Sequence, residues 1–290
     1  MARCYPSVVA DPDPPSEIAR RLGPFLRAHD DELMATVRTR AVQTNEVGRA
    51  PAIALAMNEI GRRTGAEPSL LEVGCSAGLL LALDRYRIVG GASAIGPSES
   101  PVRITPEWRG SPPRLDELAI HRRVGLDLEP IDVTDPIERR WLEACIWPDD
   151  AERRSRLRAA VEVRLDPATP NISLRRGDAL DGLAAAVASI PADRPLVVAH
   201  SWVLAYLTPA RRRAWFSKLG ELGGEREIWW LGIEQRDSVP ELPAPLATLH
   251  HTPATELSIA RARPAPWDVE RLASLHPHGT WIATDARRQR

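Results

Sequence analysis

The stretch Leu70-Leu71-Glu72-Val73-Gly74-Cys75-Ser76-Ala77-Gly78, continued by Leu79-Leu80-Leu81-Ala82-Leu83, decides the fold. A short apolar run ends in an acid, two glycines frame a tight turn, and an apolar helix-forming segment follows. The pattern predicts a strand, a turn and a helix N-terminus, the arrangement with which open α/β sheets hold nucleotide-like ligands. Two chemistries fit it. One is a cofactor turn, in which small residues let the backbone approach the ligand. The other is a hydrolase nucleophile elbow, because Gly74-Cys75-Ser76-Ala77-Gly78 also satisfies G-x-S-x-G, with Ser76 as nucleophile.

The chain upstream separates the two. Residues 1–15 are rich in Pro and Asp and read as a loose arm. Ser16 is placed to cap a helix bearing Ile18, Leu22 and Phe25 on one face, and a second helix spans about 31–40. A polar cluster, Gln43-Thr44-Asn45-Glu46-Val47-Gly48-Arg49, precedes Pro51, a first-turn proline opening a helix that stops near Gly65. No strand is predicted before residue 66, whereas a hydrolase elbow follows several earlier strands and an oxyanion loop. A dinucleotide fingerprint would need glycines at 74, 76 and 79, but Ser76 and Leu79 stand at two of them. The cofactor turn is the better reading.

Downstream, a Gly- and Pro-rich insertion at about 90–120 exceeds an ordinary connection and reads as an inserted hairpin or lid. A second strand then ends in Gly125-Leu126-Asp127, where a carboxylate suits a pair of ribose hydroxyls. Thr134-Asp135-Pro136 starts a helix with Ile137, Trp141, Ala144 and Cys145 on one stripe; Trp141, Trp147 and Cys145 read as packing. Asp149 or Asp150 caps the next helix. A third strand ends in Gly177-Asp178-Ala179, where an acid and the following N–H can meet an adenine. The apolar run Leu196-Val197-Val198-Ala199 suits a buried parallel strand and ends in His200-Ser201, where such sheets place chemistry. A fifth strand, at 227–233, and two late ones near 256–260 and 279–283, expected as an antiparallel pair, complete the sheet.

These residues, Glu72-x-Gly74-x-Ser76-x-Gly78, Gly125-x-Asp127, Gly177-Asp178-Ala179 and the His200-Ser201 strand end, occur in the order of class I S-adenosylmethionine (SAM) dependent methyltransferases. More closely, the chain resembles the prokaryotic family called domain of unknown function 2332. The matching stretches include Asn45-Glu46-Val47-Gly48-Arg49, the Leu71–Leu79 turn, Asp84-Arg85-Tyr86, Trp141-Leu142-Glu143-Ala144-Cys145 and His200-Ser201-Trp202. The turn departs from the family pattern, which has alanine at 75 and asparagine at 80. The resemblance implies an α/β, SAM-methyltransferase-like (Rossmann-type) fold: a mostly parallel sheet with helices on both faces, spanning 66–290 after a helical N-terminal extension over 1–65. It implies SAM as cofactor. Glu72 would lie near the methionine amine, with Gly74, Ser76 and Gly78 shaping the turn and Asp127 on the ribose. Asp178 and Ala179 would meet the adenine, and Asn45 and Arg49 would fold over the cofactor from the N-terminal helices. His200 is the candidate general base. A non-catalytic nucleoside-binding or regulatory protein is the alternative, and the hydrolase a minor one.

Composition narrows partners. A net charge of -1 provides no global field for nucleic acid or an anionic membrane, and a small-molecule substrate is expected. Three scattered cysteines, Cys4, Cys75 and Cys145, suit a reducing, cytoplasmic setting, and no apolar run reaches the ~18 residues of a membrane span. His250-His251 and His276-x-His278 lack acids or cysteines at ligand spacing, so no metal is expected.

Overall fold

Strand β1 (Ser69–Val73) is buried along its whole length. It lies between two parallel neighbours, β6 (Arg123–Asp127) and β8 (Leu196–Ser201). The computed structural model describes residues 2–5, 8–91, 93–235 and 255–284. β7 (Ile172–Arg176) extends the parallel set beyond β6, and β9 (Ile228–Gln235) extends it beyond β8. Taken in chain order these five strands stand 3-2-1-4-5, the order of a doubly wound nucleotide-binding sheet. The switch point lies between β1 and β8. Beyond β9 the sheet continues as an antiparallel meander of β10 (Thr255–Arg261), β11 (Glu270–Leu275) and β12 (Trp281–Thr284). The two late strands expected to pair therefore do not; β11, whose mixed Glu270-Arg271-Leu272-Ala273 pattern gives a weak strand signal, lies between them.

Alternation along β1 assigns the two faces. Leu70 and Glu72 point to the side of helix α3 (Ala50–Thr64), and Leu71 and Val73 to the side of α6 (Leu183–Ala188) and α7 (Pro209–Glu225). Gly65 closes α3 in the left-handed conformation. Upstream of it, α1 (Pro15–Ala28) and α2 (Asp30–Thr39) contain no buried residue. Ser16 lies inside α1 and does not cap it; the preceding Pro14 holds the cap position without a side-chain bond. On the same side as α3, α4 (Pro136–Ala144) starts on the side chain of Asp135, and α5 (Ala151–Leu165) on that of Asp150. The buried residue of α4 is Leu142, whereas Ile137 is 65% exposed and Trp147, beyond its end, 76%; neither is packing.

Two expected features take a different form. Leu79–Arg85 is not an α-helix but a 3-10 segment broken at Ala82. Tertiary donors reach its carbonyls, Tyr86 Oη bonding Leu79 O and Arg123 Nε bonding Leu81 O, so the oxygens an α-helix would use internally are taken. The insertion begins earlier than read and is not placed over the turn. Its strands β2 (Arg87–Gly90), β3 (Ser93–Ile95) and β4 (Arg103–Ile104) form a small sheet whose Ile88, Ile95 and Ile104 join the α3-side core. Asn58 of α3 holds both backbone groups of Asp116, and β5 (Glu107–Arg109) pairs with β12 at the edge of the main sheet.

Candidate functional site

The carboxyl ends of β1 and β8 are the two places where a non-glycine residue takes a positive φ among the described residues: Ser76 at 50° and Trp202 at 61°. For a tryptophan this is a true outlier, and such strain gathers at functional sites. The two turns interlock. Gly74, at φ 73°, passes so close to Val203 that a Cβ would lie 2.3 Å from its Cγ2. Glycine is required there on both counts.

The polar groups of the β1 turn are largely satisfied from within the chain. Ser76 N donates to Asp127 Oδ2 (2.8 Å), and Asp127 Oδ1 accepts from Glu129 N (2.9 Å). The polar cluster at 43–49 runs as a strap across the turn. Ser76 Oγ donates to Gln43 Oε1 (2.9 Å), Asn45 Nδ2 donates to Cys75 O (3.2 Å), and Leu79 N donates to Asn45 Oδ1 (3.0 Å). Gly48 lies flat on the β11–β12 turn, where a Cβ would meet His278 O at 2.3 Å. Glu46 bonds Arg153 of α5 (2.6 Å) and approaches His278 Nδ1 (3.2 Å). Burial pushes its carboxyl up, but His278, Arg153 and the Gly48 N–H outweigh that and hold it below the usual range.

Arg49 and Glu72 are compensated differently. Arg49 is buried, yet its donors meet neutral oxygens: Nε bonds Pro277 O and Nη1 bonds Ser201 Oγ, each at 2.7 Å. Burial lowers the guanidinium to about 10, with Glu46, Glu234 and Glu72 pulling the other way. Glu72 is 4% exposed, and its Oε2 is buried without a hydrogen-bond partner. Burial above all, then the charge of Asp127, raises its carboxyl well above the ordinary range, opposed by Arg49. An unpaired buried acid at a strand's carboxyl end is a binding-site signal.

The structure takes His200 out of the role of base. Its Nδ1 lies 2.7 Å from Glu234 Oε1, and Trp230 Nε1 donates to its Nε2 at 2.7 Å. The tryptophan N–H fixes Nε2 as acceptor, so Nδ1 carries the proton and donates to Glu234; no ring nitrogen is left for a substrate. The parity of β8 turns His200 to the α7 side, against Trp215 and Trp230, while Glu72 and Ser201 face α3. Glu234, at the end of β9, went unnoticed in the sequence although its signal parallels that of Glu72, an acid closing an apolar strand. Its Oε1 also accepts from Val203 N and Leu204 N, each at 2.9 Å, which fastens the β8 turn.

Asp178 and Ala179 are likewise used by the fold. Asp178 Oδ1 accepts from Leu180 N, Asp181 N and Arg211, and Ala179 packs on the α7-side core. The residues at the two family departures are also core: Leu80 is 3% exposed, and Cys75 is fully buried with its thiol pushed up first by burial, then by Glu72 and Asp127. Ser76 shares the strained turn of a nucleophile elbow, but its hydroxyl bonds Gln43 and no described histidine reaches it. Among the described residues no group of three or more His, Cys, Asp or Glu side chains is placed to hold a metal, and no helix is long and apolar enough to cross a membrane. His250-His251 lie outside the described residues.

Fold and site define a Rossmann-like α/β protein with a strapped turn at the switch point of its sheet. The chain belongs to the family described as "Uncharacterized protein conserved in bacteria (DUF2332)", whose model matches residues 1–284. Among solved structures it is similar to DesVI of Streptomyces venezuelae, at 15% identity over 78% of each chain and a TM-score of 0.30. No curated protein matches the chain.

Proposed function

We infer that the protein binds SAM across the carboxyl ends of β1 and β6 and is a SAM-dependent methyltransferase acting on a small or medium-sized molecule. The observation that carries this reading is Glu72 Oε2, an unpartnered carboxyl oxygen in the buried floor of the turn. It answers to a ligand cation, and an α-ammonium group supplies one. Asp127 spends one lone pair of each oxygen on the turn and keeps a second for a ribose hydroxyl. Gly74, Ser76 and Gly78 form the wall, with Asn45 and Gln43 of the strap behind them. The bound cofactor supplies an electrophilic methyl on a sulfonium. What the chain contributes is orientation and exclusion of water, and no side chain is assigned as general base.

Calorimetric titration with SAM and S-adenosylhomocysteine tests the reading, and binding in the micromolar range is expected. Absence of heat at millimolar ligand, together with fluorophosphonate labelling of Ser76, would transfer the site to hydrolase chemistry. The locked imidazole of His200 favours a second reading, a methyltransferase-like protein that holds the nucleoside without turnover. Incubation with methyl-labelled SAM and fractionated cell extract separates the two: label in a small-molecule fraction supports transfer, and ligand binding without label supports the second.

A further inference from the structure

The two sides of the switch point differ in chemistry. On the β6 side, Asp127 and the β1 turn present acceptors already shared with backbone N–H groups. On the β8 side two donors are unused, while an unpartnered acceptor, Glu234 Oε2, belongs to the His200 cluster on the α7 side of the sheet. Trp202 Nε1 is buried and bonds none of the described residues. Arg49, 7% exposed, makes no ion pair among the described residues, and its Nη2 donates to none of them. Its guanidinium carbon lies 5.8 Å from the centroid of the Trp202 ring, so the cation and the spare indole N–H belong to one locus. The backbone holds them there at a cost. Trp202 keeps a left-handed conformation, while Val203 and Leu204 beside it are fastened to Glu234. Arg49 is fixed by Pro277 O on one side and Ser201 Oγ on the other.

Glu46, Glu234 and Glu72 act on this buried guanidinium from a distance, but its hydrogen bonds go only to neutral oxygens, so no anion is paired with it directly. The planar donor fork of arginine matches a carboxylate, and an adjacent indole N–H adds a directed donor for its second oxygen. We propose that Arg49 and Trp202 form a carboxylate receptor for the methyl acceptor, so that the substrate is a small carboxylic acid held on the β8 side of the switch point. The assignment to the acceptor, rather than to the cofactor's own carboxylate, follows from position. A nucleoside over Asp127 lies toward β6, and Arg49 is tied to β8 and the β11–β12 turn on the other side of β1. The inference rests on the SAM reading for the reaction but not for the receptor, which the two unused donors define by themselves.

The test uses the full chain, titrated calorimetrically with acetate and benzoate against acetamide and benzamide, with and without saturating S-adenosylhomocysteine. The acids are expected to bind saturably at millimolar concentration and about tenfold or more tighter than the amides. Arg49→Gln should erase that preference. Arg49→Lys, which keeps charge and stem, should retain part of it, and Trp202→Phe should weaken acid binding several-fold. Equal binding of acids and amides by the wild-type chain overturns the proposal without any variant having to fold, as does a preference that survives in Arg49→Gln. A third result also overturns it: Arg49→Gln loses affinity for S-adenosylhomocysteine but not for 5′-methylthioadenosine, or benzoate competes with S-adenosylhomocysteine. The receptor would then read the cofactor's own carboxylate. Acid binding without any S-adenosylhomocysteine binding would leave the receptor standing and remove the SAM reading.

Discussion

Glu72 and Glu234 are the same residue type, close the same edge of the same sheet and are both buried, each with an unpartnered Oε2, yet they differ in the donors that reach the rest of the carboxyl. Glu234 Oε1 takes three N–H donors, from His200, Val203 and Leu204. Glu72 Oε2 takes none from the described residues, and the same holds for Glu234 Oε2. The first acid builds the β8 turn. The second accepts no hydrogen bond from the described residues at its Oε2. Burial alone does not separate the two; the three donors on Glu234 Oε1 do. His200 illustrates the same point, because its place at a strand's carboxyl end invited a catalytic role that two satisfied ring nitrogens remove.

The largest expected effect falls on Glu234. Glu234→Ala strands two backbone N–H groups and an imidazole N–H in the interior, and should lower unfolding free energy by about 3–5 kcal/mol in denaturant titration. Gly74→Ala follows, at about 2–4 kcal/mol, because a Cβ meets Val203 at 2.3 Å and the residue keeps φ 73°. Loss of less than 1 kcal/mol there would mean that the two turns do not interlock as described. Asp127→Ala should cost about 1–3 kcal/mol of stability through the freed Ser76 and Glu129 N–H groups, and should weaken S-adenosylhomocysteine binding by a similar amount. If affinity in the folded variant is unchanged, Asp127 belongs to the turn alone.

Glu72→Gln should do the reverse of Glu234→Ala, leaving the fold intact. Because the folded carboxyl titrates above its unfolded value of ~4.3, the native state holds the extra proton. Wild-type stability is therefore greatest below that pH and falls as pH rises toward the folded value, by at most ~1.4 kcal/mol per pH unit. The amide removes this term, so its stability should decline less steeply than the wild type's as pH rises from 5 to 8. Parallel curves would place Glu72 in contact with a compensating charge.

Much of this architecture was legible in the sequence. The run from Leu70 to Gly78, the prolines at 51, 136 and 209, and the continuous apolar strand from Leu196 each carry a local signal strong enough to fix an element. Two of the failures share one cause. Whether Leu79–Arg85 winds as an α-helix depends on Tyr86 and Arg123 reaching its carbonyls, and whether His200 is free depends on Trp230 and Glu234 from the next strand. Spacing along the chain cannot express where side chains fold back, whether from seven residues away, as Tyr86 does, or from 30 or more, as Arg123, Trp230 and Glu234 do. At the site, the residue types were readable at Glu72, Asp127, Asn45 and Arg49. The strap's direct bonds to the turn, the Glu46–Arg153–His278 cluster and the strained Trp202 came only with three dimensions.

The contrast between the two acids reduces to one measurement: calorimetric titration of S-adenosylhomocysteine into the wild-type chain and Glu72→Gln, at one pH near neutrality, in two buffers of different ionisation enthalpy. A Glu72 whose carboxyl burial raises and whose ionised form a ligand ammonium favours predicts micromolar binding, with protons released rather than taken up and at most about one per ligand. In the amide variant, binding should be weaker by about tenfold or more with no proton released. Equal affinity in the two chains would contradict the account.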